Sequence, residues 1–143
     1  LQSCIRKGYA YLSRKWHHDL IELNLEMKVE RMRSNPHVRE NIGKVALQHG
    51  PVIYCLEEVD NGAGLQQIIL PRKSGFTVEY HGDLLHGVNV ITAKGYKIKQ
   101  GTWNNSLYAS KEYEIAETTI KAVPYYAWCN RTPGEMMVWI HES

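Results

Sequence analysis

The sequence has 143 residues and a nearly balanced charge, with 17 Lys and Arg against 15 Asp and Glu. Hydrophobic residues make up 43% and charged residues 22%, which indicates a folded chain with its own core and excludes bulk disorder. No apolar run is nearly as long as a membrane-spanning helix, which needs about 18 residues. A net charge of +2 gives no reason to expect a nucleic-acid or membrane partner.

Apolar residues recur at every second position in the first part of the chain, which predicts β-strands there. Residues 19–26 place an isoleucine and two leucines on one face and polar side chains on the other. A second strand is expected at residues 27–33. Asn35-Pro36 then breaks the pattern, and a loop or one helical turn is expected at residues 37–41.

The middle and the end of the chain continue as short strands. Residues 45–56 are strongly apolar, as in a strand buried on both faces, and Gly50-Pro51 marks a bulge or a bend between two shorter strands. Further alternation is present in residues 76–80, 88–90 and 136–140. The predicted fold is therefore all-β, a jelly-roll-like antiparallel β-sandwich with little or no helix.

The charge density drops near Asn35-Pro36, where a domain boundary is expected. Residues 1–35 would be either the last strands of a preceding β-sandwich or the first strands of the same one. Residues 36–143 would be a C-terminal β-sandwich domain. The sequence begins with Leu1 rather than Met, which favours a fragment of a longer polypeptide.

The three cysteines are too few and too scattered for a disulfide framework. Cys55 and Cys129 have apolar neighbours, which predicts that both are buried, reduced thiols, whereas Cys4 has no informative context. Free thiols favour a reducing compartment, so a cytoplasmic location is expected. No Cys or His spacing fits a zinc site.

The densest acidic cluster consists of Glu57, Glu58 and Asp60. Adjacent residues of a strand point to opposite faces, so the two glutamates cannot form the facing pair that glycoside hydrolysis needs. A solvated strand end is the favoured interpretation. Asp60-Asn61-Gly62 together with Asp83 would offer oxygen ligands to calcium, but Asp-Asn-Gly is also a strong turn signal, and the turn is favoured.

The segment from Pro124 to Arg131 combines aromatic side chains with an amide and a guanidinium, which are the groups that sugar sites use. Candidate carbohydrate-binding residues are therefore Trp103, Tyr125, Trp128, Asn130 and Arg131. The favoured interpretation is structural, because Tyr126 and Trp128 would share one face of a strand and pack in the core. A hairpin through residues 132–134 would then bring residues 136–140 beside them.

Three stretches resemble the C-terminal part of the bacterial β-L-arabinofuranosidases of glycoside hydrolase family 127, formerly domain of unknown function 1680. They are GKVALQHGPVIYCLE at residues 43–57, PYYAWCNR at residues 124–131 and PGEMMVWI at residues 133–140. A weaker similarity covers residues 8–32. The resemblance implies a parent with an (α/α) barrel, a cysteine nucleophile and a zinc ion, followed by two β-sandwiches.

The same resemblance implies that this chain is the non-catalytic tail of such an enzyme. No catalytic residue, metal site or cofactor is expected here, and zinc is expected only in the absent barrel. The expected partners are the catalytic barrel and the neighbouring β-sandwich, which the chain would pack on and stabilise. The alternative is a carbohydrate-binding module that holds an oligosaccharide with Trp103, Tyr125 or Trp128. A complete small enzyme is a third hypothesis.

Overall fold

The computed structural model describes residues 2–99, 101 and 106–143, and that part of the chain is almost entirely β. Helical structure is confined to a one-turn helix, α1, and three 3-10 turns at Arg39–Asn41, Leu65–Gln67 and Tyr125–Ala127. The elements are β1 Gln2–Arg6, β2 Tyr9–Ser13, β3 Val29–Met32, β4 Lys44–His49, β5 Val52–Glu57, α1 Glu58–Asn61, β6 Ile68–Leu70, β7 Phe76–His81, β8 Val88–Ile98, β9 Ile115–Pro124, β10 Met136–Met137 and β11 Ile140–Glu142. The predicted all-β class is confirmed.

Strands β3 to β11 form one hydrogen-bonded sheet that curls back on itself. Its order is β10-β5-β9-β8-β6-β11-β4-β3, β7 is added on β8, and β4 also pairs directly with β5. Because β4 contacts both β5 and β11, the path β5-β9-β8-β6-β11-β4 returns to its start. The described pairings are antiparallel except that of β11 with β6, a departure from the purely antiparallel prediction.

The main core lies inside this closed path, and every strand of the path contributes to it. Each strand points alternate residues inward, as a period of two requires. The buried members are Val45 and Leu47 on β4, Tyr54 and Leu56 on β5, Ile68 and Leu70 on β6, Ile91 and Ala93 on β8, Ile120 and Ala122 on β9, and Ile140 on β11, with Leu65 from a 3-10 turn.

A second apolar cluster lies on the opposite face of β5, β8 and β9. Its buried members are Cys55, Val88, Val90, Val123 and Ala127. It is covered by the segment before β8 and by the segment between β9 and β11, through Leu84, Leu85, Trp128, Met136 and Val138. β5 is therefore buried on both faces, as predicted for residues 45–56.

Gly50 and Pro51 form the turn of a β-hairpin. Leu47 lies opposite Tyr54 and His49 opposite Val52, so two residues connect β4 and β5. Gly50 has φ +56°, a backbone angle that glycine adopts without a steric cost. The predicted division of residues 45–56 into two shorter strands is confirmed, and the chain reverses between them rather than forming a bulge.

The N-terminal segment lies apart from the main sheet. β1 and β2 pair only with each other, in a two-stranded sheet. The strand predicted at residues 19–26 is wrong for this chain: these residues have no regular structure and are exposed. β3 and the 3-10 turn Arg39–Asn41 confirm the elements predicted next, and β3 joins the main sheet through β4.

Candidate functional site

The aromatic segment after β9 turns instead of continuing as a strand. Pro124, the last residue of β9, is fully buried, and the following residues form the 3-10 turn Tyr125–Ala127. Tyr126 is 70% exposed, whereas Ala127 is buried in the second cluster. The predicted strand with Tyr126 and Trp128 on one core face is therefore wrong. The predicted hairpin is wrong too, because β10 pairs with β5.

The two aromatic rings proposed to stack on a sugar lie next to each other at the surface. The ring centroids of Tyr125 and Trp128 are 6.3 Å apart and the planes are tilted by 37°. Tyr125 is exposed, whereas Trp128 is half-buried and packs against the second cluster. Trp103, the third candidate ring, lies outside the described residues.

Asn130 uses its side-chain amide to hold its own loop. Its Nδ2 donates to the carbonyl oxygens of Ala127 at 3.1 Å and of Trp128 at 3.3 Å. These bonds stabilise the turn around Cys129, which adopts φ +63°. Cys129 is exposed, so its predicted burial is wrong: the turn points it away from the sheet. The amide donor expected for a sugar is thus engaged within the protein.

The guanidinium group of Arg131 binds two buried carboxylates. Its Nη2 donates to Oε2 of Glu57 and to Oδ2 of Asp60. Lys121 binds the second oxygen of Asp60 at 2.8 Å. Each carboxylate side chain is 7% exposed and the Arg131 side chain 16%. Glu57 and Asp60 therefore belong to a buried ion-pair network, and their interpretation as a solvated strand end is wrong. Glu58 lies outside this network and accepts the backbone N–H of Glu135 at 2.8 Å.

The network connects three separate parts of the fold. The first is the end of β5 together with α1, the second is β9, and the third is the loop that follows β9. The second oxygen of Glu57 accepts the backbone N–H of Cys129 at 3.2 Å. Asn61, at the end of α1, donates to the carbonyls of Glu57 and Lys121, and its own oxygen accepts the Lys121 N–H, all at 2.9 Å. Asp60-Asn61-Gly62 is thus the end of α1 and its C-cap, fixed to β9 by side-chain bonds.

The charges of this network shift the ionisation of its members. Burial alone would raise the pKa of Asp60, but the hydrogen bonds from Arg131 and Lys121 outweigh it and lower that pKa. Bonding to Asp60 raises the pKa of Arg131 despite partial burial. Burial, followed by the negative charge of Glu57, raises the pKa of the Cys55 thiol to about 12. The thiol is therefore protonated at neutral pH and is a poor nucleophile.

A second charged cluster, which the sequence analysis missed, surrounds Glu142 near the C-terminus. Its Oε1 accepts a hydrogen bond from Arg31 Nη1 at 3.1 Å. Arg33 Nη2 donates to both carboxylate oxygens, to Oε1 at 2.8 Å and to Oε2 at 2.7 Å. Arg31 also donates to the carbonyls of Pro71 and Ser74. The available sequence signal was the two-residue spacing of Arg31 and Arg33, which in extended backbone at the end of β3 places both side chains on one face. The hydrogen bonds of this cluster connect β3 to β11 and to the loop before β7.

The main surface groove is separate from the predicted sugar-binding residues. It lies across β7, β8 and β9, and hydroxyl and charged side chains line much of it, among them Thr77, Thr92, Thr119, Lys94, Tyr96 and Glu117. Glu117 is the one carboxylate among the described residues that line it, whereas glycoside hydrolysis uses two. Nowhere in the described ranges do three or more His, Cys, Asp or Glu side chains form a group that could hold a metal ion. Within the same ranges, no helix has the length and apolar character needed to cross a membrane.

One family of known protein domains matches most of this chain. The sequence profile of the glycoside hydrolase family 127 C-terminal domain matches residues 29–141. A non-reducing end β-L-arabinofuranosidase from Bifidobacterium longum subsp. longum is 35% identical over 124 residues, covering 83% of this chain and 19% of that protein.

Solved structures agree with the sequence match. A crystal structure of a family 127 β-L-arabinofuranosidase from Geobacillus stearothermophilus T6 superimposes with a TM-score of 0.80 at 48% identity, covering 82% of this chain and 19% of that one. A second family 127 β-arabinofuranosidase gives a TM-score of 0.71 at 28% identity, covering 82% of this chain and 18% of that one. The chain thus spans about a fifth of the length of these relatives. This chain is therefore a member of the glycoside hydrolase family 127 C-terminal domains.

Proposed function

We propose that this chain is a non-catalytic accessory domain of a β-L-arabinofuranosidase-like glycoside hydrolase. In the parent polypeptide it would pack on the catalytic barrel and on a neighbouring β-sandwich and stabilise them. The observation that carries the proposal is the use of the charged side chains: Glu57 and Asp60 both bind Arg131. Catalytic carboxylates have to face a substrate and change their protonation state, which a buried ion-paired group does not do.

Zinc, in this proposal, binds in the catalytic barrel of the parent and not in this chain. The three free cysteines of the chain agree with a reducing, cytoplasmic location for the parent. The activity of the relatives would belong to the part of the parent that this chain does not span.

The direct test is an activity assay of the purified chain on a chromogenic arabinofuranoside, with and without added zinc. The Geobacillus relative serves as the positive control. We expect no hydrolysis by the chain at any zinc concentration. Turnover that disappears in Glu57→Gln or Cys55→Ser would contradict the proposal and would locate an active site in this domain.

The neighbouring rings of Tyr125, which is exposed, and Trp128, which is half-buried, support a second candidate function, a carbohydrate-binding surface. Aromatic rings that reach solvent can stack on the apolar face of a sugar. The supporting polar groups differ from those expected, because Asn130 and Arg131 bind other protein groups. Titration of the chain with arabinose-containing oligosaccharides tests this function, and binding lost in Tyr125→Ala with the fold intact would establish it.

A further inference from the structure

One face of β8 changes from buried and apolar to open and polar along the length of the strand. Val88 and Val90 are buried members of the second cluster. Thr92, Lys94 and Tyr96 follow at every second position and point to the same face, but Lys94 is exposed and the other two are half-buried. The cover of the second cluster therefore ends near Thr92, and beyond it this face of the sheet is the floor of the groove across β7, β8 and β9.

The neighbouring strands continue this polar floor on both sides of β8. The facing pairs are Thr77 with Thr92 between β7 and β8, and Thr119 with Lys94 and Glu117 with Tyr96 between β9 and β8. Facing residues of an antiparallel pair point to the same side of the sheet, and adjacent strands lie about 4.8 Å apart. The members of these pairs therefore share an area about 10 Å wide across the three strands.

The loop between β6 and β7 forms one wall of the groove, and it is held in place. Nη2 of Arg31, whose side chain is only 13% exposed, donates to the carbonyl oxygens of Pro71 and Ser74, both at 2.9 Å. The guanidinium carbon of Arg31 lies 4.8 Å from the centre of the Phe76 ring. Ser74 Oγ donates to the carbonyl oxygen of Lys94 at 2.7 Å. Because these contacts fix the wall, the groove is formed before any ligand binds, which lowers the cost of binding.

The polar side chains of the floor have open hydrogen-bonding capacity. Within the described ranges, the side chains of the facing pairs make no hydrogen bond or ion pair with another protein group. Asn130 and Arg131, in contrast, are engaged within the protein. A threonine hydroxyl both donates and accepts, Lys94 donates, and Glu117 accepts. The floor can therefore offer donors and acceptors to a ligand without breaking a bond inside the protein.

This mixture of groups matches the chemistry of a sugar chain. Sugar hydroxyls donate and accept, and the half-buried ring of Tyr96 offers a surface to the apolar face of a sugar. Lys73 and Lys94 lie in the same groove as the carboxylate of Glu117, which would repel an anionic polymer. The groove has a volume of about 940 Å³, and small-molecule sites have about 300–1,000 Å³.

We propose that the groove across β7, β8 and β9 binds a short, neutral oligosaccharide. None of the described residues of the aromatic segment 124–131 lines this groove. The proposed site is therefore distinct from the surface at Tyr125 and Trp128. It adds a binding activity to the accessory role, and it requires neither a catalytic residue nor a metal ion in this chain.

Nuclear magnetic resonance of the chain, titrated with a neutral oligosaccharide, tests this inference. The probes are linear oligosaccharides of arabinose, of xylose and of glucose, each added up to about 10 mM, which detects a Kd of about 1 mM. We expect at least one of them to shift the backbone amides of Thr77, Thr92 and Thr119, whereas the amide of Leu47 in the main core should not move. The absence of shifts with all three probes would overturn the inference. Shifts confined to residues 124–131 would overturn it in favour of the second candidate function.

A double substitution, Thr92→Val with Thr119→Val, sharpens the test. It removes two hydroxyl groups and keeps the β-branched shape, so affinity for the bound probe should fall at least about fivefold. Thr132→Val is the matched control, because Thr132 is exposed and lies outside the groove, and its affinity should be unchanged. Equal affinities in the two proteins would overturn the inference. If the double variant does not fold, the shifts in the wild type still decide.

The choice of sugar separates this inference from the proposed accessory function. Shifts in the groove with xylose or glucose oligosaccharides alone would keep the inference and count against an arabinofuranosidase-like parent. Tighter binding of an oligogalacturonide than of the neutral probes would overturn the neutral assignment. If no sugar binds and the chain hydrolyses no arabinofuranoside, the inference fails and the accessory function stands. If the chain hydrolyses the arabinofuranoside, the accessory function fails whatever the groove binds.

Discussion

Arg131 donates a hydrogen bond to the buried carboxylate of Glu57 across a separation of 74 residues. The bond joins the end of β5 to the loop that carries the aromatic segment, and it thereby fixes where Tyr125 and Trp128 lie. Asp60 shares the same guanidinium nitrogen. A single cation thus binds two buried carboxylates, of which Asp60 also has Lys121 as a partner.

Replacement of Arg131 by alanine should strongly destabilise the domain. It leaves the buried carboxylate of Glu57 without its cation and removes one of the two cations of Asp60, and breaking a buried pair costs about 3–5 kcal/mol. Chemical denaturation of Arg131→Ala measures the loss. The control is Arg39→Ala in an exposed 3-10 turn, which should change stability by no more than about 0.5 kcal/mol. Equal losses in the two variants would show that the network contributes little.

Acid should weaken the domain partly through Asp60. Its pKa is lower in the folded protein than in the unfolded chain, where it is about 3.9. The stabilisation is therefore complete above that unfolded value and is lost as the pH falls towards the folded one. Glu142 contributes in the same direction. Burial alone would raise its pKa, but hydrogen bonds from Arg33 and Arg31 outweigh burial and lower that pKa.

The pH dependence is measured by unfolding Asp60→Asn and the wild type between about pH 6 and pH 2, the range set by the lowered pKa. The variant should lose less stability over this range, since it no longer releases a proton on folding. Asp83→Asn, at an exposed turn, should keep the wild-type slope. Parallel curves for Asp60→Asn and wild type would contradict the assignment.

The three thiols should differ in reactivity. Cys4 and Cys129 are exposed, whereas Cys55 is buried and its pKa is raised to about 12. A thiol reagent should therefore modify two cysteines quickly under native conditions and the third only after unfolding. Cys129→Ser should remove one fast equivalent. Fast modification of Cys55 in the native protein would mean that the second cluster opens readily.

Glycine at position 95 should be necessary for packing between β8 and β9. A Cβ there would lie 2.4 Å from Ile120 Cδ1 and 2.8 Å from the backbone oxygen of Ile69. Gly95→Ala should cost about 1–3 kcal/mol, the usual effect of overpacking a core. Gly75→Ala is the control, because a Cβ at that position meets nothing within 4 Å. Equal melting temperatures for the two variants would contradict the prediction.

Trp128 should contribute to stability less than a fully buried tryptophan. Removal of a fully buried one costs about 3–5 kcal/mol, and Trp128 is half-buried against the second cluster. We expect a loss of about 1–3 kcal/mol for Trp128→Ala by thermal melting. An unchanged melting temperature combined with lost oligosaccharide affinity would favour the carbohydrate-binding function.

The sequence by itself determined the strands whose burial follows from a local pattern of apolar residues. Residues 45–56 are apolar at nearly every position because both faces of the hairpin are covered, and the alternation in residues 88–90 specified the start of β8, which continues to Ile98. The burial of Cys55 followed from the same local pattern. Such properties depend on neighbours within a few residues, so they can be predicted without knowledge of the topology.

Only the tertiary structure decided the features that depend on distant partners. Residues 19–26 have a strand pattern, but a strand needs a second strand, and that partner is not supplied by the described chain. Tyr126 had the spacing of a core residue, yet the chain turns after the buried Pro124 and exposes it. Glu57 resembled a solvated acid until the fold brought Arg131 to it. In each case a contact between residues far apart in sequence outweighed the local preference, and local pattern contains no information about such contacts.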